Sequence, residues 1–156
     1  MIRRATLEDG PAIAALHVRS FHHAYPDIVP NEILAEVMLE ERLEKWQRWL
    51  GPDAPGPACV AEMDGRIFGF CGLSASLLRS LHVEPAAQGA GLGSSLLVWG
   101  EKTLREGGFE RGELLVFAAN GLARKFYEKH GWSTDGEVVA GEPSDWAPAL
   151  RYVKPL

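Results

Sequence analysis

Residues 88–94 read Gln-Gly-Ala-Gly-Leu-Gly-Ser, just after an apolar run that stops at Glu84-Pro85. A helix pays about 1 kcal/mol for each glycine it holds in place of alanine, so three glycines at one helix start ask for a reason. A strand, a glycine-rich turn and a helix in that order point several unpaired backbone N–H groups the same way. The helix macrodipole adds partial positive charge at that end, and the turn then holds a phosphate without needing a lysine. Glycine suits the task because a side chain would keep the phosphate off the backbone, and because some of the N–H groups point inward only at positive φ. The segment therefore commits the chain to a strand-to-helix crossover with an anion site at the junction.

Three kinds of phosphate loop use this device, and spacing separates them. The Walker loop needs Gly-Lys followed by Ser or Thr, and no Gly-Lys occurs in the chain. The dinucleotide fingerprint GxGxxG fails because Ser94 stands where its last glycine belongs, and because a hairpin meander rather than a repeated βαβ unit precedes it. The third spacing, Gln/Arg-x-x-Gly-x-Gly/Ala, is met by Gln88-Gly89-Ala90-Gly91-Leu92-Gly93. It resembles the pyrophosphate loop of acetyl-CoA-dependent acyltransferases.

The rest of the chain reads as one domain, residues 1–156, of mixed α+β type. A short strand Ile2–Ala5 precedes Thr6-Leu7-Glu8-Asp9, which has the form of a capping box. A helix to about His22 follows, with Ile13, Leu16 and Ser20 on one face. Asn31 starts a second helical stretch, and Leu43, Trp46 and Leu50 continue a stripe at helical spacing. The breaker run Gly51–Pro57 is a loop rather than a boundary, since the mostly helical first 50 residues cannot easily form a core alone. Ala58–Met63 and Arg66–Leu73 flank Asp64-Gly65, a strong two-residue hairpin signal. Leu77–Val83 is a third strand, Gly91–Glu106 a helix and Leu114–Ala118 a strand. Asn120–His130 is a capped helix stopped by Gly131, and Trp132–Ala140 and Ala147–Val153 close the sheet. Hairpins plus one crossover give a mostly antiparallel sheet.

Lysine and arginine number 16 against 21 acidic residues, a formal net charge of −5. That balance argues against a nucleic-acid partner held by bulk charge. Cys59 and Cys71 lie in strand-like apolar runs and read as buried thiols, and the five histidines show no zinc spacing, so no metal is expected. Arg3 and Arg4 are followed by no apolar run, and no stretch approaches a membrane span, which points to a reduced, cytoplasmic setting and no membrane partner.

A second block, Asn120 to Trp132, combines Asn-x-x-Ala-x-x-x-Tyr with a terminal glycine–aromatic pair. With the loop at 88–94 in this order and separation, the chain resembles the GNAT N-acetyltransferase superfamily, Trp132 standing where phenylalanine is usual. His17–Phe21, Tyr25, Pro30 and Trp46 look like the first helices of a common bacterial branch, and Asp64, Gly65 and Gly69 like its hairpin. The resemblance implies a GNAT-like sheet of six to seven strands with helices on both faces. It implies acetyl-CoA as cosubstrate and a primary amine, on a small molecule or peptide, as acceptor.

The same resemblance assigns roles. The backbone of Leu81, His82 and Val83 would pair with the pantetheine arm as an added strand. The amides of Gly89, Ala90, Gly91, Leu92, Gly93 and Ser94 would hold the pyrophosphate, with Gln88 at the start of the loop. Asn120 would touch the pantetheine or cap its helix, and the Val83 N–H would meet the oxyanion. Tyr127 would protonate the leaving thiolate or pack beneath the cofactor. Phe21, His22, His23 and Tyr25 would line the acceptor site or serve as core. Many family members carry a glutamate base where this chain has Leu77; the substitutes are His82, His22, His23, or Glu84 through water. By strand alternation His82 lies opposite Leu77 unless a bulge intervenes. A non-catalytic acyl-CoA-sensing domain is the alternative, favoured by Leu77 and opposed by Tyr127. The strand Leu150–Val153 offers an edge for pairing with a second copy in a homodimer.

Overall fold

The computed structural model describes residues 1–156. Six strands form one sheet in chain order: β1 (Ile2–Arg4), β2 (Ala58–Met63), β3 (Arg66–Ser74), β4 (Leu77–Val83), β5 (Arg111–Phe117) and β6 (Ala149–Pro155). Every neighbouring pair is antiparallel except β4 and β5, which are parallel. Helices α1 (Gly10–Ala24), α2 (Asn31–Glu36) and α3 (Leu39–Leu50) lie between β1 and β2 in sequence. Helix α4 (Leu92–Glu106) makes the β4–β5 crossover, and α5 (Gly121–Lys129) follows β5.

Local chemistry accounts for most boundaries. Asp64 and Gly65 both adopt positive φ, 51° and 76°, the geometry a two-residue hairpin turn with right-handed strand twist requires. The Thr6–Asp9 capping box forms, but it closes a short 3₁₀ turn, and α1 starts only at Gly10. Gly131 stops α5 at φ 88°, with Trp132 N–H donating back to Tyr127 C=O at 3.0 Å.

Both faces of the sheet are covered. Leu96 and Leu97 of α4 are fully buried with Leu78, Leu114, Trp132 and Tyr152 on one side. Ile13 and Leu16 of α1 pack with Trp46, Val60 and Phe70 on the other. Each such leucine contributes about 2 kcal/mol through burial, so the two helix layers clamp the strands that carry the site.

Residues 132–140, expected as a strand, touch β6 only at two isolated bridges, Ser133–Val153 and Val138–Leu150. Between them the backbone turns: Asp135 accepts from Glu137 N–H, Thr134 accepts from Gly136 N–H, and Gly136 takes φ 83°. These local bonds compete with a ladder. The same bridges occupy part of the outer edge of β6, at Leu150 and Val153. No helix is long and apolar enough to cross a membrane.

Candidate active site

The β4–β5 pair holds together at Leu77–Glu113 and at Glu113 N–H to Ser76 C=O, 3.0 Å, and nowhere further along β4. Beyond Leu77 the two strands part. On its other edge β4 stays paired to β3 as far as Val83, and Glu84 N–H donates to Phe68 C=O at 2.7 Å. Antiparallel pairing alternates the direction of the backbone groups. With Glu84 pointing at β3, His82 points there too, and the N–H and C=O of Leu81 and Val83 point into the gap. One of these is met from within the protein: Gln88 Nε2–H donates to Val83 C=O at 3.4 Å.

The gap opens into a cleft of about 820 Å³. Above the end of β4, Gly89 and Gly91 take φ 88° and 83°. A Cβ at either position would meet nothing within 4 Å, so backbone conformation rather than crowding demands glycine there. At Gly93 a Cβ would touch the Phe126 ring at 3.4 Å, an ordinary van der Waals contact. Gly91 caps α4, and the first intrahelical bond is Ser95 N–H to Gly91 C=O, 3.1 Å. No N–H from Gly89 to Ser94 donates to a backbone carbonyl. A run of free amides at a helix N-terminus is a site for an anion such as a diphosphate.

The cleft gathers most of the residues singled out from the sequence. Leu81, His82, Val83, Gln88, Gly89, Gly91, Leu92, Gly93, Ser94, Asn120, Tyr127, Phe21, His23 and Tyr25 all line it. Ala90 does not, and neither does His22, whose Nε2 bonds Val37 C=O at 2.8 Å, tying α1 to the end of α2. Asn120 does both things considered for it: its Oδ1 accepts from Ala123 N–H at 3.2 Å, capping α5, and the residue borders the cleft. Tyr127 is 9% exposed, and its hydroxyl is neither bonded to the protein nor sealed from solvent. Burial pushes the phenol well above its usual 10, so it stays protonated at neutral pH.

Alternation along β4 is broken. Gly72 faces Ser80 but Leu73 faces Leu78, which leaves Arg79 unopposed in a bulge. Leu78 and Leu81 consequently both pack into the α4-side core, and His82 shares a face with Leu77 rather than opposing it. His82 is directed at α1, where its Nδ1 lies 2.8 Å from Ser20 Oγ and its ring 4.7 Å from that of His17. Burial first, then Lys45 and Arg42, hold the His82 pKa down at about 3. His17 is lowered as well, mainly by burial, and its Nδ1 accepts from Trp46 Nε1–H at 3.1 Å. Both imidazoles are neutral at pH 7. Glu84 is held by Arg19 through two bonds, 2.6 and 3.2 Å, and does not line the cleft.

Several cleft residues were not singled out beforehand: Arg42 and Lys45 from α3, Arg79 from the bulge, Glu142 and Trp146 from the segment before β6. Ser20 and His17 were noted only for their places on α1. The sequence signal for α3 was its apolar stripe, Leu43, Trp46 and Leu50, and nothing in that periodicity marks its cations.

Residues 13–132 match the family described as "Acetyltransferase (GNAT) family". A curated relative, "Mycothiol acetyltransferase" of Sanguibacter keddieii, is 31% identical over 152 residues, covering 88% of this chain and 45% of that protein. The chain thus spans about half the length of the curated relatives it matches first. An uncharacterised N-acetyltransferase of Bacillus subtilis, YuaI, is 27% identical over 117 residues, 69% of this chain and 66% of that one. Among solved structures, a GCN5-related N-acetyltransferase from Rhodopseudomonas palustris superposes with TM-score 0.83 at 22% identity, over 100% of this chain and 95% of the other. The PaiA N-acetyltransferase of Thermoplasma acidophilum, solved with coenzyme A, gives 0.78 at 21% identity, over 100% and 98%. At these identities the structural likeness speaks to the fold.

Proposed function

The chain belongs to the acetyltransferase (GNAT) family, and from that premise we propose that residues 1–156 form one catalytic domain that moves an acetyl group from acetyl-CoA to an amine. The observation that carries this reading is the parting of β4 from β5 beyond Leu77, directly beneath the free amides of residues 89–94. A diphosphate on the loop and an extended amide-bearing arm along Leu81 and Val83 would satisfy the backbone groups left open there.

Bound acetyl-CoA supplies the thioester whose carbonyl carbon the acceptor amine attacks directly, with both substrates in place. The N–H of Val83, pointing into the gap, is placed to donate to the oxyanion that develops on that carbonyl. Tyr127 keeps its proton at neutral pH and donates it to the departing sulfur as the C–S bond breaks, and the proton the nitrogen sheds on becoming an amide restores the phenol through solvent. The acceptor lies between α1 and the parted strands, against Phe21, His23 and Tyr25. His82, with a pKa of about 3, is too weak a base to strip an ammonium group, while Glu84 and His22 are engaged elsewhere. The cleft has another means of presenting a neutral amine. Lys45, itself an amine in this site, is lowered to about 8 by burial and the neighbouring Arg42 and Arg79, and an acceptor amine beside it meets the same field. Cys59 and Cys71, directly opposed on β2 and β3 and both free thiols, fit a reducing cytoplasm.

The test is thiol release from acetyl-CoA over a broad amine panel, with calorimetric titration of CoA, ATP and NAD beside it. CoA binding and amine-dependent release are expected. Preference for ATP or NAD would overturn the reading; CoA binding with no amine accelerated would turn it to acyl-CoA sensing.

A further inference from the structure

The acceptor end of the cleft holds a buried cation, Arg42, whose guanidinium makes no hydrogen bond and whose one ion-pair partner is the exposed Glu41. Arg42 is 6% exposed, lines the cleft, and stacks its guanidinium 5.7 Å above the Phe21 ring. No side-chain hydrogen bond engages it. Its Nε is sealed from solvent without a hydrogen-bond partner, although Glu41 Oε2 stands 3.3 Å away, off the bonding direction. One helical turn on, Lys45 also lines the cleft, packs its ammonium over Trp49 at 5.9 Å and forms no salt bridge. A buried guanidinium whose only ion pair is to an exposed carboxylate, and whose N–H groups find no acceptor, is costly to fold around, so a site that keeps one has room to receive an anion.

The local charge balance indicates which anion. The charged residues lining the cleft are Arg42, Lys45, Arg79 and Lys129 against Glu142 alone, in a chain of net charge −5. Arg42, Lys45 and Arg79, offset by Glu142 and by Glu41 beside Arg42, leave one surplus positive charge, which suits a monoanion better than a phosphate dianion. A guanidinium with its fork of donors free matches a carboxylate in shape. The phosphates of CoA are poorly placed to supply it. Arg79, near enough to act on Lys45, lies four residues upstream of Val83 on β4, roughly 13 Å from the glycine loop's end of the strand.

Resting on the acetyl-CoA reading above, we propose that the acceptor is a compact amine bearing its own carboxylate, of the amino-acid class, and that Arg42 and Lys45 bind that carboxylate. Burial in the cleft disfavours the acceptor's ammonium form, and its carboxylate offsets the two cations.

The experiment uses the full chain, acetyl-CoA, and a panel of α- and β-amino acids, each beside its carboxamide and its decarboxylated amine. For the best acceptor, kcat/KM of the acid is expected to exceed that of its amide by about tenfold or more, the worth of one charge-assisted bond. Arg42→Gln should shrink that ratio toward unity, chiefly through KM. Lys45→Met should do so to a lesser degree, and stands in if Arg42→Gln fails to fold. Equal or faster turnover of the amides, or a loss in acetyl-CoA affinity instead of acceptor KM, overturns the inference while the acetyltransferase reading stands. Silence from the whole panel also overturns it, and the CoA titration then decides whether the broader reading falls as well.

Discussion

At one end of the cleft the protein offers main-chain N–H groups from consecutive residues, Gly89 to Ser94; at the other it offers side chains from α1, α3 and β4, far apart in sequence. The loop end needs only a strand end, a turn and a helix start, and its glycines are dictated by φ. The acceptor end needs two helices docked on one face of the sheet, so that His17, Ser20, Arg42 and Lys45 converge on His82. A backbone-built site is indifferent to its neighbours' identity and suits a cosubstrate shared by a family. A side-chain-built site changes with single substitutions and suits an acceptor that differs from one member to the next.

The contrast can be broken most directly at the residue between the two ends. Tyr127→Phe keeps the ring and removes the proton donor. We expect kcat to fall about a hundredfold, the low end of general-acid contributions, with acetyl-CoA affinity unchanged by calorimetry. A fall of less than twofold would leave Tyr127 as packing only. Next in size, Gly91→Val forces a β-branched residue to φ 83° at the cap of α4. CoA binding should weaken by at least about tenfold while circular dichroism and the acceptor end's buried pair stay intact; unchanged affinity would remove the loop from the site.

Acid should single out the acceptor end. His17 and His82 have pKa values depressed by burial, His82 to about 3, so the unfolded chain binds protons that the folded one refuses. Stability is complete above the ordinary histidine value near 6.5 and declines as pH falls below it. Asp9, lowered by Arg3, loses its contribution only under more acidic conditions, below the ordinary carboxylate range. Urea midpoints between about pH 6.5 and 4.5 should therefore drop in the wild type and drop less steeply in His17→Asn, where His82 alone remains. A midpoint independent of pH there would mean that neither imidazole is held neutral.

The smallest effect runs the other way. Because Arg42 Nε is buried without a hydrogen bond and its one ion pair is to the exposed Glu41, Arg42→Met should raise stability by about 1 kcal/mol, seen as a thermal midpoint higher by about 4 °C. A fall of the same size would show that Arg42 holds the fold together instead of waiting for a ligand.

The hairpin at Asp64-Gly65, the stop at Gly131 and the amphipathic faces of α1 and α4 were legible because each depends on residues within one or two turns of itself. The expected strand at 132–140 failed for the complementary reason. Its apolar residues fit a strand, but Thr134, Asp135 and Gly136 bond locally, and only two contacts to β6 survive. His22 looked equivalent to His23 in the sequence. A neighbouring carbonyl, Val37 C=O, draws one away, and the cleft keeps the other.

The sequence by itself determined the crossover and the free amides at its junction, since short-range backbone sterics and capping decide both. Only the tertiary structure decided the rest. The bulge at Arg79 reversed the face of His82, the parting of β4 and β5 opened the cleft, and the docking of α3 turned two helix-surface cations into one buried and one half-buried charge. The physical reason is that burial belongs to the assembled packing of distant segments, and burial is what converts a charge from a solvated ornament into a demand for a partner.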